Sequence, residues 1–437
     1  MILGALLLIW PALLNGYPIL FSDTGAFLAQ TIVPLMVWDK PFFYGPFLHL
    51  FHWRITLWGP LLAQGLIVSH LVWLVMRSVW PAARWWAHPA LCAALALGTS
   101  LPWVVSLLMP DIFASVLVLC VFLLGFTAPR GWLLGWLVLL GGFAAAVHLS
   151  HLPLAGGLIL LVALLARRWG ALARAAAPLL LAVVALLGTN LVGNGRLALS
   201  PYGSVFALAR LVADGPAARV IEEECAAGRT LHLCAWVGRF PTDSDDFLWS
   251  EDGPVWAQRQ DGAQPGGPIS LAPEAGEIVG LTLRRHPLEV ARLALGNAVA
   301  QMGKTRIGDA LVPDWLDDTV GLRLRQGDFP PAEQERLRAS LQFQGRLSPP
   351  LAMLHPWVLV LATPFALLAW WRAHRSGDRL RLGLVVCCLA ALLGNAIVTG
   401  ALSKPHHRYQ ARVIWLLPLA AVLGWQPPRP GRAVQPG

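Results

Sequence analysis

Acidic residues with no place in a solvated face are the first residues to weigh for chemistry. Of the 24 Asp and Glu side chains, only Asp23, Asp39, Asp111 and Asp378 lie outside the stretch 196–350. Asp23 (Phe21-Ser22-Asp23-Thr24-Gly25) follows the first apolar run, and Asp111 (Met109-Pro110-Asp111) sits in a turn between two later ones. A carboxylate at membrane depth costs about 2.5–3.5 kcal/mol, so it tends to mark a site. The plainer role for either acid is a helix cap. The functional role is a pair of carboxylates that face one membrane-edge cleft from two different outer loops.

Cations that could meet such acids are few. Lys404-Pro405-His406-His407-Arg408-Tyr409, followed by Arg412, concentrates positive charge just before the last apolar run. Lys404, His407, Arg408 and Arg412 suit an anionic headgroup or phosphate, which Arg can hold with two parallel hydrogen bonds; a solvated loop is the alternative. Lys40, Tyr44 and Arg54 belong to an aromatic, proline-punctuated stretch in the first loop. That stretch reads as an interfacial helix or an aromatic belt, with both cations at headgroup level. His148 and His151 are expected to share one helical face at the end of an apolar run. They suit phosphate or sugar contact, or simply hydrogen-bonded interfacial positions, and are weak as metal ligands. No P-loop, dinucleotide fingerprint, G-x-S-x-G or H-E-x-x-H pattern occurs.

The elements that carry these residues follow from composition. The 437-residue chain is 56% hydrophobic and 13% charged, against about 25% charged in an ordinary soluble domain. A cytosolic globular enzyme, a disordered chain and a disulfide-framework mini-protein are all excluded. The net charge of +9 does not point to nucleic acid, because 20 of the 24 acidic residues sit in 196–350 and no basic stripe with interleaved aromatics appears. Apolar runs near spanning length cover about residues 1–16, 57–76, 90–108, 112–128, 131–148, 152–167, 176–193, 351–371, 382–401 and 411–426. With the N-terminus inside, the inner loops hold 12 basic residues, among them Arg429 and Arg432, and the short outer loops hold five. The positive-inside rule then places both termini in the cytoplasm.

The expected fold is an all-α integral membrane protein of about ten transmembrane helices, with interfacial helices in the first outer loop and one large, mainly helical extracytoplasmic segment. Its parts are an N-terminal bundle (1–195), the outer segment (196–350), and C-terminal helices with a cytoplasmic tail (351–437). Within the outer segment, Pro216 to Cys225, Pro287 to Met302 and Pro331 to Ser348 read as helices opened by proline, and 241–275 reads as turn-forming loop. Cys225 and Cys234 are the only cysteines there. In an oxidising compartment they are expected to form a disulfide.

In their order along the chain these patterns resemble the GT-C superfamily of polytopic glycosyltransferases. The resemblance is carried by Phe21-Ser22-Asp23-Thr24-Gly25-Ala26-Phe27-Leu28 after the first span, and by Lys40-Pro41-Phe42-Phe43-Tyr44-Gly45-Pro46-Phe47-Leu48 before a span containing Gln64. The later parts are Met109-Pro110-Asp111-Ile112-Phe113-Ala114, the step from His148 to Pro153, and Arg408-Tyr409 opening a span that ends in Leu416-Leu417-Pro418. Members often carry a paired acidic motif in the first loop, whereas Asp23 stands alone here. The resemblance implies an inverting transferase in a bacterial inner membrane, using a lipid-linked sugar donor and a glycan, lipid or protein acceptor. Asp23 would be the general base, Asp111 would orient the acceptor or share a divalent cation such as Mg or Mn, and Arg408, Lys404 and His407 would steady the departing phosphate. Two other classes fit the composition: a non-catalytic membrane scaffold presenting 196–350, and a transporter or flippase of lipid-linked glycans.

Overall fold

Apolar runs without strand-like alternation can satisfy their backbone away from water only as helices, and among the described residues helices are the only extended secondary structure. The computed structural model describes residues 1–258 and 266–425. Arg429, Arg432 and the part of the turn-rich stretch around Gly262 to Pro265 lie outside the described residues. Four helices are long and apolar enough to cross a membrane: Trp58–Val79, Trp169–Asn194, Leu354–Ser376 and Arg379–Leu402.

The remaining apolar runs are shorter or broken. Ile112–Phe126, Trp132–Ala146 and His151–Ala166 have 15 or 16 residues, a rise of about 23 Å at 1.5 Å per residue. Run 1–16 divides into Ile2–Leu8 and Trp10–Asn15, where Pro11 starts the second helix. Run 90–108 divides at Thr99 into Ala87–Gly98 and Leu101–Ser106, and run 411–426 is preceded by a separate helix, His407–Ile414, before Leu416–Gly424. Ile112–Phe126 is the central element, since every side chain from Ile112 to Gly125 is buried.

Breaking two of these helices creates the feature that fixes the site. Gly16 closes Trp10–Asn15 in the left-handed conformation (φ 77°), which only glycine adopts without strain, and the chain then runs extended from Tyr17 to Phe21. A parallel β-bridge joins Ile19 to Leu107: the Ile19 N–H donates to the Ser106 carbonyl at 3.0 Å, and the Leu108 N–H to the Ile19 carbonyl at 2.9 Å. On the other side, the Gln342 side chain acts as a substitute strand. Its Oε1 accepts from the Leu20 N–H (3.0 Å), and its Nε2 donates to the Leu20 carbonyl (2.6 Å). Thr24 then donates its hydroxyl to the Leu108 carbonyl at 3.0 Å.

The 196–350 segment does not pack as one unit. Helices Gly203–Ala213, Pro216–Ala226, Ser244–Trp249 and Pro268–Arg285 surround their own core, including Val205, Leu208, Ile221, Phe247 and Ile278. Leu316, Val320, Leu324, Phe329 and Leu337 instead join the main core of the apolar bundle. Buried Glu333 ties this second part down, accepting from the Tyr17 hydroxyl (2.7 Å), the Thr56 hydroxyl (3.0 Å) and the Leu57 N–H (2.8 Å). The helix expected over Pro331 to Ser348 ends at Ala339, because the following residues turn away to bring Gln342 onto Leu20. Cys225 and Cys234 are joined by a disulfide. The stretch read as loop contains the helix Ser244–Trp249 and the start of Pro268–Arg285.

Gln342→Ala strands the Leu20 N–H and carbonyl in the interior, at about 1–3 kcal/mol for each unsatisfied group. Thermal unfolding in detergent should show a clear drop in Tm, while Gln344→Ala, at an exposed neighbour, leaves it unchanged. Equal melting of the two variants would remove the bracketing role.

Candidate functional site

Asp23 occupies the first turn of Ser22–Ile32, where the helix dipole favours an anion. It does not cap that helix, since Thr24 Oγ1 takes the free Phe21 N–H (3.1 Å). Its carboxylate is one-third exposed and lies 3.2 Å from Lys40 Nζ, and Lys40 is itself only 10% exposed and also pairs with Asp39. Burial alone would raise the Asp23 carboxyl. Lys40, and after it Arg408, outweigh burial and hold it below the usual carboxylate range. Asp23 is therefore ionised at neutral pH and ready to accept a proton, though as a weak base.

Asp111 sits at the start of Ile112–Phe126 without any cap hydrogen bond, and its side chain is 4% exposed. Its Oδ1 lies 3.9 Å from Arg408 Nε and 3.7 Å from Arg412 Nη1. These are ion pairs just beyond hydrogen-bond length. Arg412 is held from behind. Its Nε and Nη2 donate to Asn395 Oδ1 (3.0 and 2.8 Å), and Nη2 also donates to the Ser150 hydroxyl (2.9 Å). Asn395 spends its own amide on the Tyr409 carbonyl and Gln410 Oε1. Arg408 lies flat 4.3 Å over the Phe21 ring, two residues from Asp23. Arg408 Nη1 and Arg412 Nη1 are both buried without a hydrogen-bond acceptor.

These contacts join the two acid-bearing loops through Arg408. On one side Lys40 is shared by Asp23 and Asp39. On the other, two guanidinium groups face a single carboxylate, which leaves positive charge and two free N–H donors for an anion. Among the described residues no group of three or more His, Cys, Asp or Glu is arranged to hold a metal ion. Asp23 and Asp111 are each already matched by side-chain cations, so this donor set does not suit Mg or Mn, and no step is assigned to a metal.

Other residues singled out in the sequence are placed differently. His148 and His151 do not share a helical face, because Trp132–Ala146 ends before them and His151 opens the next helix. His148 Nδ1 accepts from the Ser150 N–H (3.2 Å) and hydrogen-bonds the same hydroxyl that meets Arg412 (2.8 Å), so it borders the cleft. His151 is fully buried, with Nδ1 2.6 Å from the Ala144 carbonyl oxygen. Tyr44 is buried and donates to Gln64 Oε1 (2.5 Å), while Gln64 Nε2 donates to the Val105 and Leu107 carbonyls. Tyr44 thus supports the turn that carries Asp111. Arg54 is exposed in the turn after Tyr44–His52 and makes no ion pair among the described residues.

The basic cluster also divides. Lys404 Nζ turns to Asp243 (2.5 Å) and Asp245 (3.2 Å), and His407 meets Arg306. His406 sits between Asp245 (3.4 Å) and Asp309 (3.7 Å). Asp309 also accepts the Arg408 N–H (3.2 Å), which ties this latch to the site. Only Arg408 and Arg412 of the cluster face Asp111. Asn395, Gln410, Ser150 and Asp309 complete the arrangement without having been singled out. Asn395 gave a signal as an amide inside an apolar run; the others gave none.

The carboxylates of Asp245, then Asp309, raise His406 to about 8, and His406 in turn lowers Asp309 to about 2. A histidine raised in the folded state contributes stability that is complete below its unfolded value of about 6.5 and is lost as pH rises through about 8. The melting temperature should therefore fall between pH 6.5 and pH 8.5, and His406→Gln should flatten that slope. An unchanged slope in the variant would show that His406 does not carry it. Comparison with known proteins finds no family model, no curated protein and no solved structure that matches this chain, so its function is argued from the site.

Proposed function

We propose that this chain is an inverting membrane glycosyltransferase that moves a sugar from a polyprenyl-phosphate-linked donor to an acceptor hydroxyl at the extracytoplasmic face. The observation that carries the reading is two guanidinium groups facing the single Asp111 carboxylate, each with a buried Nη1 that has no hydrogen-bond acceptor, and with Arg408 packed on Phe21, two residues from Asp23. Ten membrane-crossing segments, the four long helices and the shorter or broken ones, with both termini cytoplasmic in a bacterial inner membrane, put that cleft at the outer lipid boundary.

The chemistry balances with these residues alone. Asp23 accepts the proton of the acceptor hydroxyl as its oxygen bonds to the anomeric carbon. The bond from that carbon to the phosphate oxygen breaks with its electron pair, and polyprenyl phosphate leaves. Attack opposite the leaving group inverts the anomeric centre. Arg408 and Arg412 stabilise the charge that develops on the phosphate, and because Asn395, Ser150 and Phe21 already fix them, little reorganisation is needed. Lys40 holds the Asp23 carboxylate in place. An apolar groove lined by Met36, Phe42, Gly188, Thr189, Val192 and Gly193 lies beside the first-loop residues that follow Ser22–Ile32, a path suited to an isoprenoid chain.

In proteoliposomes supplied with a panel of polyprenyl-phosphate sugars and membrane-derived acceptors, Asp23→Asn should lower transfer about 10²–10⁴-fold with an unchanged melting temperature. Arg408→Ala should weaken the same step. Transfer at the wild-type rate by Asp23→Asn would remove the base. Movement of lipid-linked sugar across the vesicle without a covalent product would favour a flippase.

A further inference from the structure

The outer unit presents a partly exposed aromatic ring close to Lys40 of the charged cleft. Trp249 ends the short helix Ser244–Trp249 and is 46% exposed, although Phe247 and Leu248 just before it are buried. The indole is braced rather than mobile. Trp38 lies 5.7 Å and Phe206 6.2 Å from it, and these two rings stack on each other at 5.1 Å. Lys40 Nζ is 6.0 Å from the Trp249 ring centre and 3.2 Å from Asp23 Oδ1. Lys40 thus lies close both to the exposed ring and to the proposed base. Close to it along the chain, Asp246, Glu251 and Asp252 are exposed, whereas Asp243 and Asp245 are engaged by Lys404 and His406.

A braced, exposed indole with three exposed carboxylates within three residues of it along the chain offers the two features that saccharides require. The C–H face of a pyranose packs on the π-surface, and its hydroxyls donate to carboxylate oxygens that accept only. A lipid chain makes no use of the carboxylates. A free cation is disfavoured by the charge of Lys40, 6.0 Å from the ring centre. We infer that Trp249 is the acceptor platform of this chain and that the acceptor is a glycan, stacked on Trp249 with one hydroxyl directed at Asp23. The inference rests on the transferase reading of the cleft and adds the class of its second substrate.

The test is saturation-transfer NMR on the full chain in lipid nanodiscs, with chitotriose, maltotriose and mannotriose as probes. At least one trisaccharide should bind. Trp249→Ala should weaken that binding about fivefold to tenfold, as expected for loss of a stacked ring. Trp249→Phe should recover most of it, and Gln344→Ala, at an exposed residue with no part in the site, should leave it intact. Binding unaffected by Trp249→Ala, or no binding of any of the three sugars, overturns the inference. A parallel arm measures retention of undecaprenyl phosphate by wild type and Arg408→Ala. Arg408-dependent retention without saccharide binding defeats the glycan platform alone, whereas loss of Arg408 dependence defeats the transferase reading beneath it.

Discussion

The structure depends on how one extended stretch, Tyr17 to Phe21, satisfies its peptide groups inside an apolar bundle. Away from water, an unpaired N–H or carbonyl carries a cost comparable to a lost hydrogen bond. Here Ile19 pairs with the Ser106–Leu108 strand on one side, and Leu20 pairs with the Gln342 amide on the other. Each partner leads directly to chemistry. Three residues beyond Leu20 stands Asp23, and three beyond Leu108 stands Asp111. The bridge is what makes two acids, distant in sequence, parts of one cleft, and it explains why both helices are interrupted where an unbroken span would have been simpler to build.

Electrostatics follow from that placement. Buried charges persist only when matched and hydrogen-bonded, and the cleft meets this unevenly. Asp23 and Asp39 share Lys40, while Asp111 alone faces Arg408 and Arg412 across distances too long for hydrogen bonds. The positive side is kept in shape by neutral partners, the Asn395 amide, the Ser150 hydroxyl and the Phe21 ring, which orient the guanidinium groups without neutralising them. Such a surface favours an incoming anion and disfavours a metal cation.

Much of this was legible in the sequence because charge is rare in such a chain. Asp23, Asp111, Arg408 and Arg412 stood out as polar residues at the ends of apolar runs; the last three converge, and Asp23 lies within electrostatic reach of Arg408. Lys404 and His407 had the same signature and are diverted, because Asp243, Asp245 and Arg306 reach them from a segment more than ninety residues away. No local pattern encodes that contact. The helical face expected for His148 and His151 failed for a local reason, since the Ser150 N–H turns back to His148 and ends the helix early. Gln342 and Glu333 were invisible as anchors; they look like ordinary polar residues of a solvated helix until folding places them against Leu20 and Tyr17. Ten apolar runs were readable as hydrophobicity, but only four form long uninterrupted helices, because Pro11, Thr99 and the short loops around Asp111 and His148 divide the rest.

The central claim is that Arg408 and Arg412 form a seat for a lipid phosphate facing Asp23. An experimental structure of the full chain in a nanodisc containing polyprenyl phosphate tests it most directly. The account predicts phosphate density within hydrogen-bond reach of Arg408 Nη1 and Arg412 Nη1, the lipid chain leaving toward the bilayer, and the Asp23 carboxylate facing the same cavity. Phosphate bound elsewhere, or an Asp23 side chain directed to bulk solvent away from both guanidinium groups, would contradict it.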